Sequence, residues 1–185
     1  MISFNSNSII KIITIFNTIA TIFFAILFQH FYKEIYLTAA ITFGTTAYHF
    51  GIRLLIGLIY QLCMNNRADY TKKWYQLRSW ERKLYRLCKV KAWKNKLPTY
   101  HPEKFSPQYY SWDEIAQTMC QSELVHETNL LFSFLPILLS IWFGAFSVFF
   151  ITSVCAALFD LLFVIIQRYN RDRILKILFR KGLID

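Results

Sequence analysis

The sequence predicts an all-α integral membrane protein. It would have about four transmembrane helices and a basic, aromatic-rich interfacial helical section between the second and third. Three observations carry that expectation. The 185-residue chain is 18% aromatic with a mean hydropathy of +0.32, more apolar than is usual for a soluble domain of this size. Its apolar residues gather before residue 65 and between residues 130 and 166. Its charge is gathered too: Arg67 to Lys104 holds twelve Lys/Arg against three acids, and Arg168 to the end holds six cations against two acids. The first 65 residues offer only Lys11, Lys33 and Arg53 as cations. A basic block in a soluble protein would indicate nucleic acid. Between apolar spans, the positive-inside rule and anionic lipid headgroups account for it, and no nucleic-acid partner is expected.

The first span covers about residues 9–30. Ile9 to Phe28 carries one charge, Lys11, and is long enough to cross the hydrocarbon core. It is longer than the apolar region of a signal peptide, and no small-x-small cleavage site follows before Tyr32-Lys33-Glu34, so residues 1–31 are expected to be retained. The second span, 36–63, is less pure. It contains Thr38, Thr42, Gly44, Thr45, Thr46, His49, Gly51, Arg53 and Gly57, residues that let helices approach closely and bond across an interface. His49 and Arg53, four apart, share a face. Either Arg53 snorkels or pairs with a carboxylate such as Asp160, or the two line a polar substrate cavity.

Residues 65–128 form the polar section. Trp74, Tyr75, Trp80, Tyr85 and Trp93 interleave with cations, as in a helix lying at the headgroup level, and Tyr70 to Ala92 is expected to be that helix. Pro98, Pro102 and Pro107 mark a loop. Ser111 is a predicted N-cap with Glu114 at the capping-box position, opening a helix from Asp113 to Thr128. Leu130 to Ile166 is 37 residues with only Asp160 charged, too long for one span. It is expected to be a hairpin of spans 130–146 and 148–167 that breaks at Gly144. A basic C-terminal helix, 168–181, follows. The whole chain, 1–185, reads as one membrane domain. Two spans separate its two basic segments, so both fall on one side, which the positive-inside rule makes cytoplasmic at the cell membrane.

Two groups of residues could do chemistry. Glu123 and His126, at i and i+3, share a helix face. A carboxylate beside an imidazole can orient it to take a proton from a hydroxyl. The same spacing equally suits a partly buried histidine bonded to its neighbour. Arg168, Arg171 and Arg173, with Gln167 and Asn170, crowd the end of the fourth span. They are either an interfacial anchor or a clamp for phosphate, which arginine grips with two-pronged hydrogen bonds. The four cysteines and four histidines are scattered, with no metal-ligand spacing. No serine-nucleophile elbow or phosphate-binding loop is present.

Three blocks occur in a telling order and spacing: Lys91-Ala92-Trp93-Lys94-Asn95-Lys96-Leu97-Pro98, Ser122-Glu123-Leu124-Val125-His126, and Ile165-Ile166-Gln167-Arg168-Tyr169-Asn170-Arg171-Asp172-Arg173-Ile174-Leu175. Over roughly residues 74 to 178 the chain resembles the glycosyl-4,4'-diaponeurosporenoate acyltransferases, membrane proteins that esterify a sugar hydroxyl in staphyloxanthin-type carotenoid synthesis. The family pattern has an arginine where this chain has Gln121, and an asparagine with a nearby proline where it has Asp160 and Leu162. The resemblance implies transfer of a long-chain acyl group to a hydroxyl of a glycosylated lipid or carotenoid. His126 would be the general base and Glu123 its orienting partner. Arg168, Arg171 and Arg173 would hold donor phosphates, ordered by Gln167 and Asn170, with Trp93 and Lys94 contributing from the polar section. Acyl-CoA or another acyl donor is the expected co-substrate, with no metal and no cofactor. The alternative is a non-enzymatic small membrane partner or a subunit that binds anionic lipid.

Overall fold

The computed structural model describes residues 6–99 and 101–183. Residues 1–5, 100, 184 and 185, which fall within the expected single domain, lie outside the described residues. Every regular element among the described residues is helical. Four helical segments are long and apolar enough to cross a membrane: Ser8–Phe31, Glu34–Met64, Trp112–Phe143 and Phe146–Arg180. The helices are α1 (Ser6–Phe31), α2 (Glu34–Met64), α3 (Ser79–Leu87), α4 (Val90–Trp93), α5 (Trp112–Phe132), α6 (Ser140–Phe143) and α7 (Phe146–Arg180).

The chain divides into two compact units. The first comprises residues up to Ile56 together with Thr128–Phe159. Its helices expose apolar side chains such as Ile12, Ile15, Phe16, Ile19 and Phe23, as a span in lipid must. The hydroxyls of Thr14, Thr18, Thr21, Thr42, Thr45 and Thr46 donate back to carbonyls of the preceding turn, which satisfies them without water. Phe24 stacks on Phe43 at 5.4 Å. A Cβ on Gly44 would come within 3.3 Å of Thr21, so the small residue permits the approach of α1 to α2. Tyr48 Oη donates to the Phe132 carbonyl at 2.9 Å, and Arg53 donates to the carbonyls of His49 and Ala156. Between α6 and α7 the chain reverses at Gly144 (φ +65) and Ala145 (φ 51), the expected break.

The second unit comprises Gly57–Glu127 and the residues from Asp160 on. Its core joins the loop before α3, the start of α5 and the end of α7: Tyr70, Tyr75, Ile115, Ala116, Met119, Cys120, Ile174 and Leu178. The expected capping box is formed, with Ser111 N–H donating to Glu114 Oε2 at 2.8 Å and Glu114 N–H to Ser111 Oγ at 3.3 Å. Gln121 accepts the Asn66 N–H at 2.6 Å, where the chain leaves α2 through left-handed Asn65 and Asn66.

Three boundaries differ from expectation. The helix expected over Tyr70 to Ala92 is broken into a short turn at Lys73–Tyr75, then α3 and α4. Gln76 is extended and Lys89 is left-handed. The carbonyls of Trp74, Tyr75 and Gln76 accept from arginine side chains instead of continuing a helical ladder. The helix that opens at Ser111 runs on as α5 to Phe132, and the irregular stretch comes at Leu135–Leu139, where Pro136 denies a backbone donor. The fourth span and the basic tail are one helix, α7, with no break at Arg168. That continuity fixes the register of the arginines against Asp160.

Candidate active site

Glu123 of α5 is fully buried between two guanidinium groups of α7. Its Oε1 lies 2.5 Å from Arg168 Nη1, and its Oε2 pairs with Arg171 Nη1. Arg168 also reaches Glu81 of α3, at 2.9 Å from Nε to Oε1, and donates to the carbonyls of Trp74 and Gln76. Arg171 is 1% exposed, donates to the Tyr75 carbonyl at 2.6 Å, and sits 5.1 Å from the Tyr75 ring centroid. Two carboxylates and three carbonyls therefore take up these two arginines. A buried charge is tolerable only when paired and hydrogen-bonded in this way. The arrangement corrects two expectations. Glu123 does not orient His126, because both its oxygens are committed to arginine. Arg168 and Arg171, 9% and 1% exposed, are buried against Glu81, Glu123 and backbone carbonyls rather than held open to an outside phosphate. Gln167, 8% exposed, is buried beside them.

The carboxylate that meets His126 is Asp160. His126 Nδ1 lies 2.9 Å from Asp160 Oδ1, and the ring stacks on Phe163 at 4.8 Å and 13°. Asp160 is 0% exposed, whereas the His126 side chain keeps 23% of its surface open. A buried carboxylate on Nδ1 fixes the ring and its tautomer, and leaves Nε2 as the nitrogen that can accept a proton. Asp160 comes from 34 residues away, so helical spacing could not supply it. The signal in the sequence was that it is the one ionisable residue in a long apolar run, which calls for a partner.

The remaining expected residues lie outside the buried cluster. Trp93 Nε1 donates to the Cys88 carbonyl at 3.0 Å, closing its own turn. Lys94 Nζ donates to Asn170 Oδ1 at 2.8 Å and lies 5.8 Å from the Tyr169 ring centroid. Burial, and then the charge of Arg173, hold the Lys94 ammonium below the usual lysine range. Arg173 is exposed.

A cavity of about 330 Å³ opens between α3, α5 and α7 within this unit, lined mainly by apolar atoms of Trp74, Trp80, Leu84, Leu161, Val164 and Ile165. Its wall includes Glu127, next to His126 in the chain, and Leu161, next to Asp160. Glu127 accepts from Trp74 Nε1 at 3.0 Å. Among the described residues, no three His, Cys, Asp or Glu side chains gather closely enough to hold a metal ion.

A family model for glycosyl-4,4'-diaponeurosporenoate acyltransferase matches residues 71–180. The match covers more than half of the chain and includes all of the site just described. The chain belongs to this acyltransferase family. No curated protein and no solved structure matches it.

Proposed function

We propose that this family member transfers a long-chain acyl group from an activated donor, such as acyl-CoA, to a hydroxyl of a glycosylated carotenoid or glycolipid. The observation that carries the reading is the His126–Asp160 pair, at 2.9 Å, with the acid buried and the histidine partly open. Asp160 holds Nδ1 and stabilises the imidazolium that forms, while Nε2 takes the acceptor hydroxyl proton. The hydroxyl oxygen attacks the acyl carbonyl carbon and forms the new ester bond. The carbon–sulfur bond of the thioester breaks, and His126 returns its proton to the departing thiolate. The apolar cavity beside Leu161 and Ile165 suits the acyl chain or a carotenoid end.

The surface of the second unit supports a site at a membrane boundary. On α3, Glu81 and Tyr85 face inward, while Trp80, Leu84 and Leu87 are exposed. Apolar residues outward with cations beside them suit the headgroup level of an anionic leaflet. With the positive-inside rule, this supports a cytoplasmic site at the cell membrane.

The test is acyl transfer by the full chain reconstituted in membranes, with long-chain acyl-CoA and a carotenoid glucoside or a glycosyl diacylglycerol as acceptor. His126→Ala is expected to abolish turnover, and Asp160→Asn to lower kcat by roughly 10²- to 10⁴-fold with a smaller change in KM. Full activity in His126→Ala would remove the histidine from the mechanism.

A further inference from the structure

We propose that Lys94, Asn170 and Arg173 form a phosphate seat on the face of α7 opposite the buried arginines. Asn170 and Arg173 are i and i+3, so they share a helix face. Lys94 arrives on that face from the Lys94–Lys96 turn and is tied down at 2.8 Å to the Asn170 side-chain oxygen. An ammonium has three donors, and this bond uses one. Arg173 is exposed and carries the planar fork that grips phosphate oxygens.

Charge balance supports the same conclusion. Among the described residues, no carboxylate is hydrogen-bonded or ion-paired with Lys94 or Arg173. The acid nearest in the chain, Asp172, is already held by Arg82 at 3.1 Å and by Lys176 at 2.5 Å. Lys94 is half-buried, its one bonded partner is a neutral amide, and its charged neighbour is a second cation. Like charges gathered without a counter-ion raise each other's energy, and an anion between them relieves that repulsion. The Tyr169 ring face beside Lys94 offsets only part of it. A phosphate monoester or diester matches the donors left over. It could belong to the nucleotide part of an acyl donor or to an anionic lipid headgroup. The first source rests on the acyltransferase reading; the second does not.

The experiment uses the full chain in phosphatidylcholine nanodiscs, titrated with coenzyme A in the presence and absence of inorganic pyrophosphate. A second arm uses nanodiscs containing phosphatidylglycerol and counts retained lipid by native mass spectrometry. Lys94→Gln and Arg173→Gln are each expected to weaken phosphate binding about tenfold. Arg173→Lys, which keeps the charge, should weaken it less, and Lys181→Gln, an exposed cation elsewhere, should leave it unchanged. Loss of pyrophosphate-sensitive coenzyme A binding assigns the seat to the donor. Loss confined to phosphatidylglycerol retention assigns it to the headgroup. Unchanged binding in both arms, or an equal loss in Lys181→Gln, overturns the seat. Phosphate binding by a wild-type chain that transfers no acyl group would sink the acyltransferase reading and leave the seat standing.

Discussion

Arg168 and Arg171 on one face of α7, and Asn170 and Arg173 on another, come from one short stretch of sequence but meet different surroundings. The first pair is 9% and 1% exposed, and its charge is matched by Glu81 and Glu123. On the second face Asn170 is half-buried and Arg173 exposed, and the charge of Arg173, with that of Lys94, is unmatched by any described carboxylate. The difference shows that a dense arginine cluster at the end of a span need not act as one clamp. Two of its three arginines hold the fold together, and the third is exposed.

Removal of the acid between the two buried arginines should have the largest effect. Glu123→Ala leaves two buried guanidinium groups without their shared carboxylate and should cost about 3–5 kcal/mol, read as a large loss of thermal stability in detergent. Arg173→Gln and Lys94→Gln should stay within about 0.5 kcal/mol of wild type in the same assay. Equal losses on both faces would dissolve the distinction. Arg171→Lys should fall between these. Charge is kept but the fork that spans Glu123 and the Tyr75 carbonyl is lost, so an intermediate cost of about 1–3 kcal/mol is expected.

The smallest effect appears only in alkali. Burial is the first cause that pushes Tyr70, Tyr75 and Tyr85 up to about 12 from an ordinary value of 10.0. A phenol whose folded pKa is raised adds stability that is complete below the unfolded value and lost as pH climbs through the folded one. The buried side of the second unit should therefore loosen between pH 10 and about 12, followed by tyrosinate absorbance beside helical circular dichroism. A tyrosinate signal that accounts for all eleven tyrosines below pH 11 while the helices remain intact would show that these three rings are not enclosed.

The length and purity of the apolar runs, the charge asymmetry, the turn at Gly144 and the Ser111–Glu114 cap are local or periodic properties, so the helical class and its four long apolar segments are legible in the sequence. The i, i+3 spacing also places Glu123 and His126 on one side of α5. Periodicity reports which residues share a face; it does not report what faces them. It is packing that brings Asp160 to His126, shares Glu123 between Arg168 and Arg171, and gives the carbonyls of Trp74 to Gln76 to arginine rather than to a helix. Those choices depend on burial. A charge removed from water must find its counter-charge wherever the packed chain brings one, and the partners here lie 34 to 96 residues apart in the chain.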